Sequence, residues 1–132
     1  MIGLDTSVLV RYVMQDDRRQ SAQASRVIES FTAETPGWVP VVAIVELVWV
    51  LESRYDLDRA QVSRVLAGML VAKELKLDSA AEVALAMSRY RVGRAEFADC
   101  LSERLANRAG CRETLTFDTR AARDAGMTLI DR

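Results

Sequence analysis

The chain has 132 residues, of which 50% are hydrophobic and 28% charged, and its formal net charge is −1. This length suits one domain with a sizeable core, and only six glycines and two prolines argue against a linker-rich or disordered chain. A charge this close to zero lacks the electrostatic footprint of a DNA-coating protein. Because histidine is absent, Ser-His-Asp triads, His–Cys pairs, His-ligated zinc and His-dependent ribonuclease chemistry are excluded.

Short apolar segments alternate with longer helical ones. In chain order the pattern predicts a strand at 2–4, helices at 6–13 and 19–31, a strand at 38–39, a helix with Pro40 in its first turn to about Tyr55, and a helix capped by Asp58 to about Val71. It continues with a strand at 75–77, a helix capped by Asp78 or Ser79 to about Tyr90, a helix at 95–109, a strand at 114–117, a helix at 119–125 and a strand at 127–130. Without hairpin turns, this alternation predicts one domain, residues 1–132, with a parallel sheet and helices on both faces.

The sequence carries no pattern of export or membrane insertion. The first five residues include no basic region followed by an apolar stretch, so no signal peptide is expected. The longest apolar run, 39–51, contains Glu46 and falls short of the roughly 20 residues that span a bilayer. Cys100 and Cys111 are too few for a disulfide framework and are expected to be buried. We expect a cytoplasmic protein.

Two aspartates directly follow predicted strands. Asp5 comes after Ile2-Gly3-Leu4, and Asp118 comes after Leu115-Thr116-Phe117. Because the carboxyl ends of parallel strands lie at one edge of the sheet, where ligands bind, the two aspartates are expected to be neighbours. The alternative is that each only caps the following helix, since aspartate is a preferred N-cap residue.

Glu46 is the only charged residue between Thr35 and Leu51. Apolar residues surround it on nearly every helical face, so the helix is expected to be largely buried. An unpaired buried carboxylate would cost several kcal/mol or take up a proton. Glu46 is therefore expected to have a partner, either a metal ion or an arginine in a structural ion pair.

Asp99 and Glu96 lie three residues apart on a predicted helix and share a face. Their like charges repel each other, which disfavours a purely structural role, although Glu96 could simply be a first-turn acid favoured by the helix dipole. Several converging carboxylates without histidine form an all-oxygen site. Such a site selects Mg²⁺ or Mn²⁺ and is typical of phosphoryl transfer or phosphodiester hydrolysis.

Four motifs, in this order and spacing, resemble a known family. They are Asp5-Thr6-Ser7-Val8-Leu9, the apolar segment 41–51 around Glu46, Glu96-Phe97-Ala98-Asp99-Cys100-Leu101, and Thr116-Phe117-Asp118. Across its whole length the chain resembles PIN-domain ribonucleases, in particular the VapC toxins of bacterial toxin–antitoxin pairs. The resemblance implies an α/β/α sandwich around a five-stranded parallel sheet. It also implies a Mg²⁺ or Mn²⁺ site and single-stranded or looped RNA, such as tRNA or rRNA loops, as substrate.

Through this resemblance, Asp5, Glu46, Asp99 and Asp118 match the acidic quartet of the family's active site. Asp5 and Asp99 would be the most direct metal ligands, while Glu46 and Asp118 would hold metal-bound waters or a second ion. Glu96 stands where many relatives have aspartate and would be a secondary member of the site. The hydroxyl positions beside the acidic quartet correspond to Thr6, Ser7 and Thr116.

RNA binding requires local positive charge, and arginine supplies it here. Only two of the 18 basic residues are lysines. Arginine binds phosphate bidentately and stacks on bases, although these side chains could simply be solvated. The arginines nearest the acidic motifs, and hence the candidates for RNA binding, are Arg89, Arg91, Arg94 and Arg112.

The family resemblance further implies a VapB-type antitoxin across the active-site groove, and a homodimer. Trp49 and the apolar residues of the next helix could form that groove, or they could all belong to the core; the residues of the next helix are Val62, Val65, Leu66, Met69 and Leu70. A short upstream reading frame encoding a DNA-binding head and an amphipathic tail would support the antitoxin.

Three other classes of protein fit the sequence less well. A two-component receiver domain needs an acidic pair near the first strand and a late lysine, but Thr6 follows Asp5 and no lysine occurs after Lys76. A haloacid-dehalogenase-like phosphatase needs a second aspartate where Ser7 stands. An inactive PIN scaffold conflicts with the intact acidic quartet.

Overall fold

The computed structural model describes residues 1–130, which form two compact units, Met1–Asp78 and a second that begins at Ser79. The first unit contains β1 (Ile2–Gly3), α1 (Thr6–Met14), α2 (Arg18–Glu29), β2 (Gly37–Val39), α3 (Val41–Tyr55), α4 (Arg59–Val71) and β3 (Leu75–Leu77). The second contains α5 (Ala80–Val92), α6 (Phe97–Arg108), β4 (Leu115–Thr116), α7 (Thr119–Asp124) and β5 (Thr128–Leu129).

Every strand pairing within the described residues is parallel, as the sequence predicts. In the first unit Ile2 pairs with Gly37, and Gly37 pairs with Leu75, so β2 is the central strand of three. In the second unit Leu115 pairs with Thr128 in a two-stranded sheet. A single five-stranded sheet is not seen across residues 1–130. Because the strands are only two or three residues long, each pair forms few ladder hydrogen bonds.

The core of the first unit is built around α3. One side of this helix is fully buried, with Ile44, Leu47 and Leu51 inaccessible to solvent. From α4, Val62 and Leu66 are also inaccessible and Met69 is nearly so. Val62, Leu66 and Met69 therefore belong to the core, whereas Val65 and Leu70, the other α4 residues of the predicted groove, are half-buried.

The core of the second unit lies between α5 and α6. The Tyr90 ring meets the Phe97 ring edge to face, with centroids 5.8 Å apart and planes at 89°. Such aromatic pairs contribute about 0.5–1.5 kcal/mol beyond the burial of their surface. Cys100 is buried as predicted, but Cys111 is exposed, because it follows the turn at Gly110 after the end of α6.

Local sequence signals define most helix boundaries. Asp58 caps α4 through a capping box, in which its carboxylate accepts from the Gln61 N–H at 2.8 Å and the Gln61 side chain accepts from the Asp58 N–H at 2.9 Å. Pro40 precedes α3 at the N-cap position rather than within its first turn.

The ends of α2 and α5 differ from prediction, whereas the N-cap of α5 is one of the two predicted residues. α2 ends at Glu29, so Phe31 lies outside the helix and is buried. α5 continues to Val92 before Gly93 adopts an extended conformation. Ser79 occupies its N-cap position with φ +57° and makes no side-chain capping hydrogen bond. Among the described helices, none is both long enough and apolar enough to cross a membrane.

Gly37 has no room for a side chain. A Cβ there would lie 2.7 Å from Cε2 of Phe31 and 2.9 Å from Cδ1 of Leu4. Gly37→Ala is therefore expected to lower the free energy of unfolding by about 1–3 kcal/mol through overpacking, measured by urea unfolding. Gly3→Ala is the control, because a Cβ at Gly3 meets nothing within 4 Å. An equal loss in both variants would contradict the packing explanation.

Candidate active site

The carboxylate of Asp5 does not cap the helix that follows it. Asp5 occupies the N-cap position of α1, but its side chain makes no capping hydrogen bond to the α1 backbone. Its Oδ2 instead accepts a hydrogen bond from the Ser7 hydroxyl at 3.2 Å. Asp5 and Ser7 are exposed, while Thr6 is buried. This geometry argues against the alternative that Asp5 serves only as a helix cap.

Glu46 lies on the exposed side of α3, so the prediction that it is buried is wrong. The apolar residues of α3 do not all face the core. Val42 and Trp49, three or four residues from Glu46, are 76% and 57% exposed. These positions form one stripe along the helix, and Glu46 shares it. Since Glu46 is solvated, it does not need a partner to offset a burial penalty.

Asp5 and Glu46 line the same cavity in the first unit. Its volume is about 400 Å³, within the usual range for ligand sites. Thr6 and Ser7 line the cavity as well, so four residues of the predicted site are brought together. Trp49, which the sequence analysis assigned to the active-site groove, also lines this cavity. The lining residues that were not predicted include Arg11, Gln20, Arg54 and Tyr55.

Arg11 and Tyr55 are fixed by a network centred on Asp16. The Tyr55 hydroxyl donates to Asp16 Oδ2 at 2.6 Å, and Arg11 Nη1 lies 3.3 Å from Oδ1. Arg11 Nε also donates to Gln20 Oε1 at 2.7 Å. The bond from Tyr55 holds the pKa of Asp16 below its ordinary value and raises the pKa of Tyr55. Asp16 is thus a structural anchor for both side chains.

Asp99 lies in a negative electrostatic environment within the second unit. It occupies the first turn of α6 and is half-buried. Desolvation is the main cause that raises the pKa of Asp99, and the charges of Glu96 and Asp118 raise it further. These three carboxylates are therefore close enough to interact, as the sequence predicts for Glu96 and Asp99. A cation nearby would favour the ionised form of Asp99.

Asp118 does cap the helix that follows it. Its Oδ1 accepts from the N–H of Arg120 at 2.8 Å and from that of Ala121 at 3.3 Å. Its own N–H donates to the Thr116 hydroxyl at 3.0 Å, so Thr116 helps to orient the start of α7. Because only Oδ1 makes these bonds, a capping role is compatible with a second role through Oδ2. Glu96, at the N-cap position of α6, is exposed and makes no such capping bond.

One of the four candidate RNA-binding arginines has structural partners. Arg89 Nη1 donates to the Ala125 carbonyl at 2.6 Å and lies 3.2 Å from Glu103 Oε1. This guanidinium therefore links α5 to α6 and to the end of α7. The other three candidates are exposed; they are Arg91, Arg94 and Arg112.

The donor chemistry of these residues suits a hard divalent cation, because every candidate ligand is a carboxylate or hydroxyl oxygen. The first unit offers Asp5 and Glu46 on one cavity, and the second offers Asp99 with Glu96 and Asp118 as its electrostatic neighbours. Within residues 1–130, however, no three side chains of the Asp, Glu, His or Cys type are placed to hold an ion. The donor types fit, and a complete coordination shell is not formed.

The protein belongs to the α/β class, because its parallel strands are joined by helices. The acidic side chains that follow the strands are among its candidate catalytic residues. The PIN domain family matches residues 2–126, and the chain belongs to this family. PIN domains are generally nucleases that use divalent metal ions. No curated protein matches the chain.

Proposed function

We propose that the protein is a metal-dependent endoribonuclease that hydrolyses phosphodiester bonds in single-stranded or looped RNA. The observation that carries this proposal is the PIN domain match over residues 2–126, a range that contains every proposed acidic residue. The substrate class and the toxin role rest on the resemblance to VapC toxins. Cleavage of tRNA or rRNA loops would block translation.

We assign the cation, Mg²⁺ or Mn²⁺, to Asp5, Asp99, Glu46 and Asp118, with Glu96 as a secondary member. When bound, such an ion offsets the charge of the scissile phosphate and acidifies a water. The Ser7 hydroxyl orients the Asp5 carboxylate through its 3.2 Å hydrogen bond. Thr116 positions the Asp118 backbone, which leaves Asp118 Oδ2 available to orient a water.

Arg91, Arg94 and Arg112 are the preferred candidates for binding RNA phosphates. All three are exposed, whereas the Arg89 guanidinium is held by the Ala125 carbonyl and Glu103. An exposed guanidinium offers five N–H donors in a planar fork that matches phosphate oxygens.

The resemblance to VapC toxins supports further parts of the proposal. We propose that residues 1–132 act as one domain, an α/β/α sandwich with a five-stranded parallel sheet. The protein would act in the cytoplasm as a homodimer, and a VapB-type antitoxin would cover its active site. Co-purification with the product of an adjacent short reading frame, and loss of RNA cleavage in that complex, would test the antitoxin.

RNA cleavage is expected to require Mg²⁺ or Mn²⁺ and to stop when EDTA removes the metal. The physical reason is that carboxylates alone cannot offset the negative charge that develops on the scissile phosphate. The measurement is cleavage of a fluorescent single-stranded RNA with EDTA, and again after Mg²⁺ is added in excess. Undiminished cleavage in EDTA, by a preparation free of contaminating nuclease, would contradict the proposed mechanism.

A further inference from the structure

We propose that Trp49 and Arg54, on the exposed side of α3, bind the RNA strand next to the cleavage site. Trp49 would stack on an unpaired base, and Arg54 would bind a backbone phosphate other than the scissile one. The inference rests on the proposed function for the identity of the ligand as RNA. It adds a positioning surface on the first unit, whereas the arginines predicted from sequence all lie in the second.

The positions of these residues on one helix support the assignment. Glu46, Trp49 and Arg54 all belong to α3 and line the same cavity as Asp5. Trp49 is three residues after Glu46, and Arg54 follows Glu46 by two steps of four residues, so each lies near the face of α3 that carries Glu46. Trp49 and Arg54 are five residues apart and flank this face on opposite sides. Arg54 lies eight residues after Glu46, which corresponds to about 12 Å along the helix axis. A strand whose scissile phosphate is near Glu46 would therefore present a different phosphate to Arg54.

Trp49 presents a large flat surface to solvent. It is 57% exposed, and Val42, two turns earlier on the same face of α3, is 76% exposed. The chain itself therefore does not cover this stripe of α3. Its backbone carbonyl accepts a hydrogen bond from the Ser53 hydroxyl at 2.6 Å. Within residues 1–130 the indole itself has no hydrogen-bond partner and no contact with another aromatic ring. Exposed aromatic rings are the common stacking platforms of single-stranded nucleic acid sites, since every base has a stackable face.

Arg54 differs from Arg11, the other cationic residue of the cavity. Arg11 is held by Asp16 and Gln20, so its guanidinium is already engaged. The Arg54 side chain is exposed and makes no hydrogen bond or ion pair with any other part of residues 1–130. Its donors are therefore available to a phosphate. Tyr55, the next residue, is anchored to Asp16 at 2.6 Å, which fixes the end of α3 that carries Arg54.

The combination of charges and surfaces favours a nucleic acid strand over a protein partner. An available guanidinium and an exposed indole on one cavity match a ligand that alternates phosphates with flat bases. A docked protein would use the same exposed Trp49, but its binding would not depend on bases. Comparing the binding of base-bearing and abasic RNA therefore distinguishes a nucleic acid ligand from a protein ligand at this surface.

The test measures binding of a labelled eight-nucleotide single-stranded RNA by fluorescence polarisation, with EDTA present so that no cleavage occurs. Trp49→Leu is expected to weaken binding about ten-fold, the size of one base–aromatic stack, and to have little effect on an abasic strand. Trp49→Phe should restore most of the affinity. Arg54→Ala should weaken binding of both strands. It should also make the slope of log affinity against log salt concentration less steep by about one, the value of one phosphate contact.

Two control variants match these changes without touching the cavity. Arg26→Ala removes one exposed positive charge from α2, and Leu85→Ala removes an exposed apolar side chain from α5. Both are expected to bind RNA as the wild type does. Thermal melting of each variant checks that the fold is retained. In a Trp38→Phe background, Trp49 is the remaining tryptophan, and its fluorescence should be quenched by the base-bearing strand.

Wild-type binding by both Trp49→Leu and Arg54→Ala would overturn the inference, even if metal-dependent cleavage is intact. Equal weakening of base-bearing and abasic strands by Trp49→Leu would also overturn it. So would retained RNA binding in Trp49→Leu with loss of a co-purifying protein, because the surface would then be a protein interface. Conversely, Trp49-dependent RNA binding without cleavage would support the binding surface and contradict the proposed enzymatic activity.

Discussion

Replacing Asp99 by asparagine is expected to lower the rate of RNA cleavage by about 100-fold or more and to leave the protein folded. A catalytic cation contributes several kcal/mol of charge stabilisation, and about 1.4 kcal/mol corresponds to a ten-fold change in rate. Asparagine keeps the shape of the side chain and removes the charge that such an ion needs. The measurement is single-turnover cleavage in saturating Mg²⁺, with Glu34→Gln as a control for the loss of one exposed charge.

The same variant should be at least as stable as the wild type when no metal is present. Burial and the nearby Glu96 and Asp118 charges raise the pKa of Asp99, so its ionised form destabilises the folded protein. This cost is absent below about pH 4, the ordinary pKa of aspartate, and grows as the pH rises through the raised pKa. The stability difference in favour of Asp99→Asn should therefore appear at neutral pH and vanish in acid.

Thermal melting with and without Mg²⁺ completes the test of Asp99. Binding of an ion to the folded state raises the melting temperature by mass action, so Mg²⁺ should stabilise the wild type more than Asp99→Asn. Normal RNA cleavage by Asp99→Asn would remove Asp99 from the catalytic site. Outright unfolding of the variant would make Asp99 part of the scaffold instead.

Substitutions of two neighbouring residues of α3 are expected to affect different properties, stability for Leu47 and RNA cleavage for Glu46. Leu47→Ala should lower the free energy of unfolding by about 2–5 kcal/mol, because Leu47 is inaccessible to solvent and its truncation leaves a cavity. Glu46→Gln should change stability by less than about 0.5 kcal/mol, because Glu46 is exposed. RNA cleavage should nevertheless fall about 10- to 100-fold in Glu46→Gln, the usual cost of removing a group that supports a metal site.

Urea unfolding and RNA cleavage, measured on both variants, separate structural from catalytic roles. Leu47→Ala should keep its cleavage rate per folded molecule at a temperature where it remains folded. A loss of several kcal/mol in Glu46→Gln would restore the original expectation of a buried, paired carboxylate. Unchanged cleavage in Glu46→Gln would exclude it from the proposed site.

The features that could be predicted from sequence are those encoded by neighbouring residues. The capping box of Asp58 and Gln61 is a local pattern, and so is the alternating strand Leu75–Leu77, which the structure reproduces with the predicted bounds. The parallel character of the strands followed from the lack of hairpin turns. The PIN family match confirms the resemblance at the level of the family.

Other features depend on contacts that no local pattern encodes. The run of apolar residues around Glu46 indicates a buried helix, but it does not reveal that one stripe of α3, with Val42 and Trp49, stays uncovered. The bond between Tyr55 and Asp16 joins residues 39 positions apart. Trp49 and Arg54 lie on the same helix as the candidate acid Glu46. An aromatic and a cationic residue in these positions were the sequence signal that could have indicated the wider site.

Each sheet is formed entirely by strands of its own unit, and this affects how the chain can fold while it is being synthesised. Every partner of the three-stranded sheet lies before residue 78, so its ladder can form while the remainder is still emerging from a ribosome. In the two-stranded sheet, Leu115 pairs with Thr128 only 13 positions later. Because loop-closure entropy rises with the logarithm of loop length, this pairing is inexpensive to nucleate. Neither ladder needs to wait for a strand from the other unit, which limits the time that unpaired strand edges are exposed to other nascent chains.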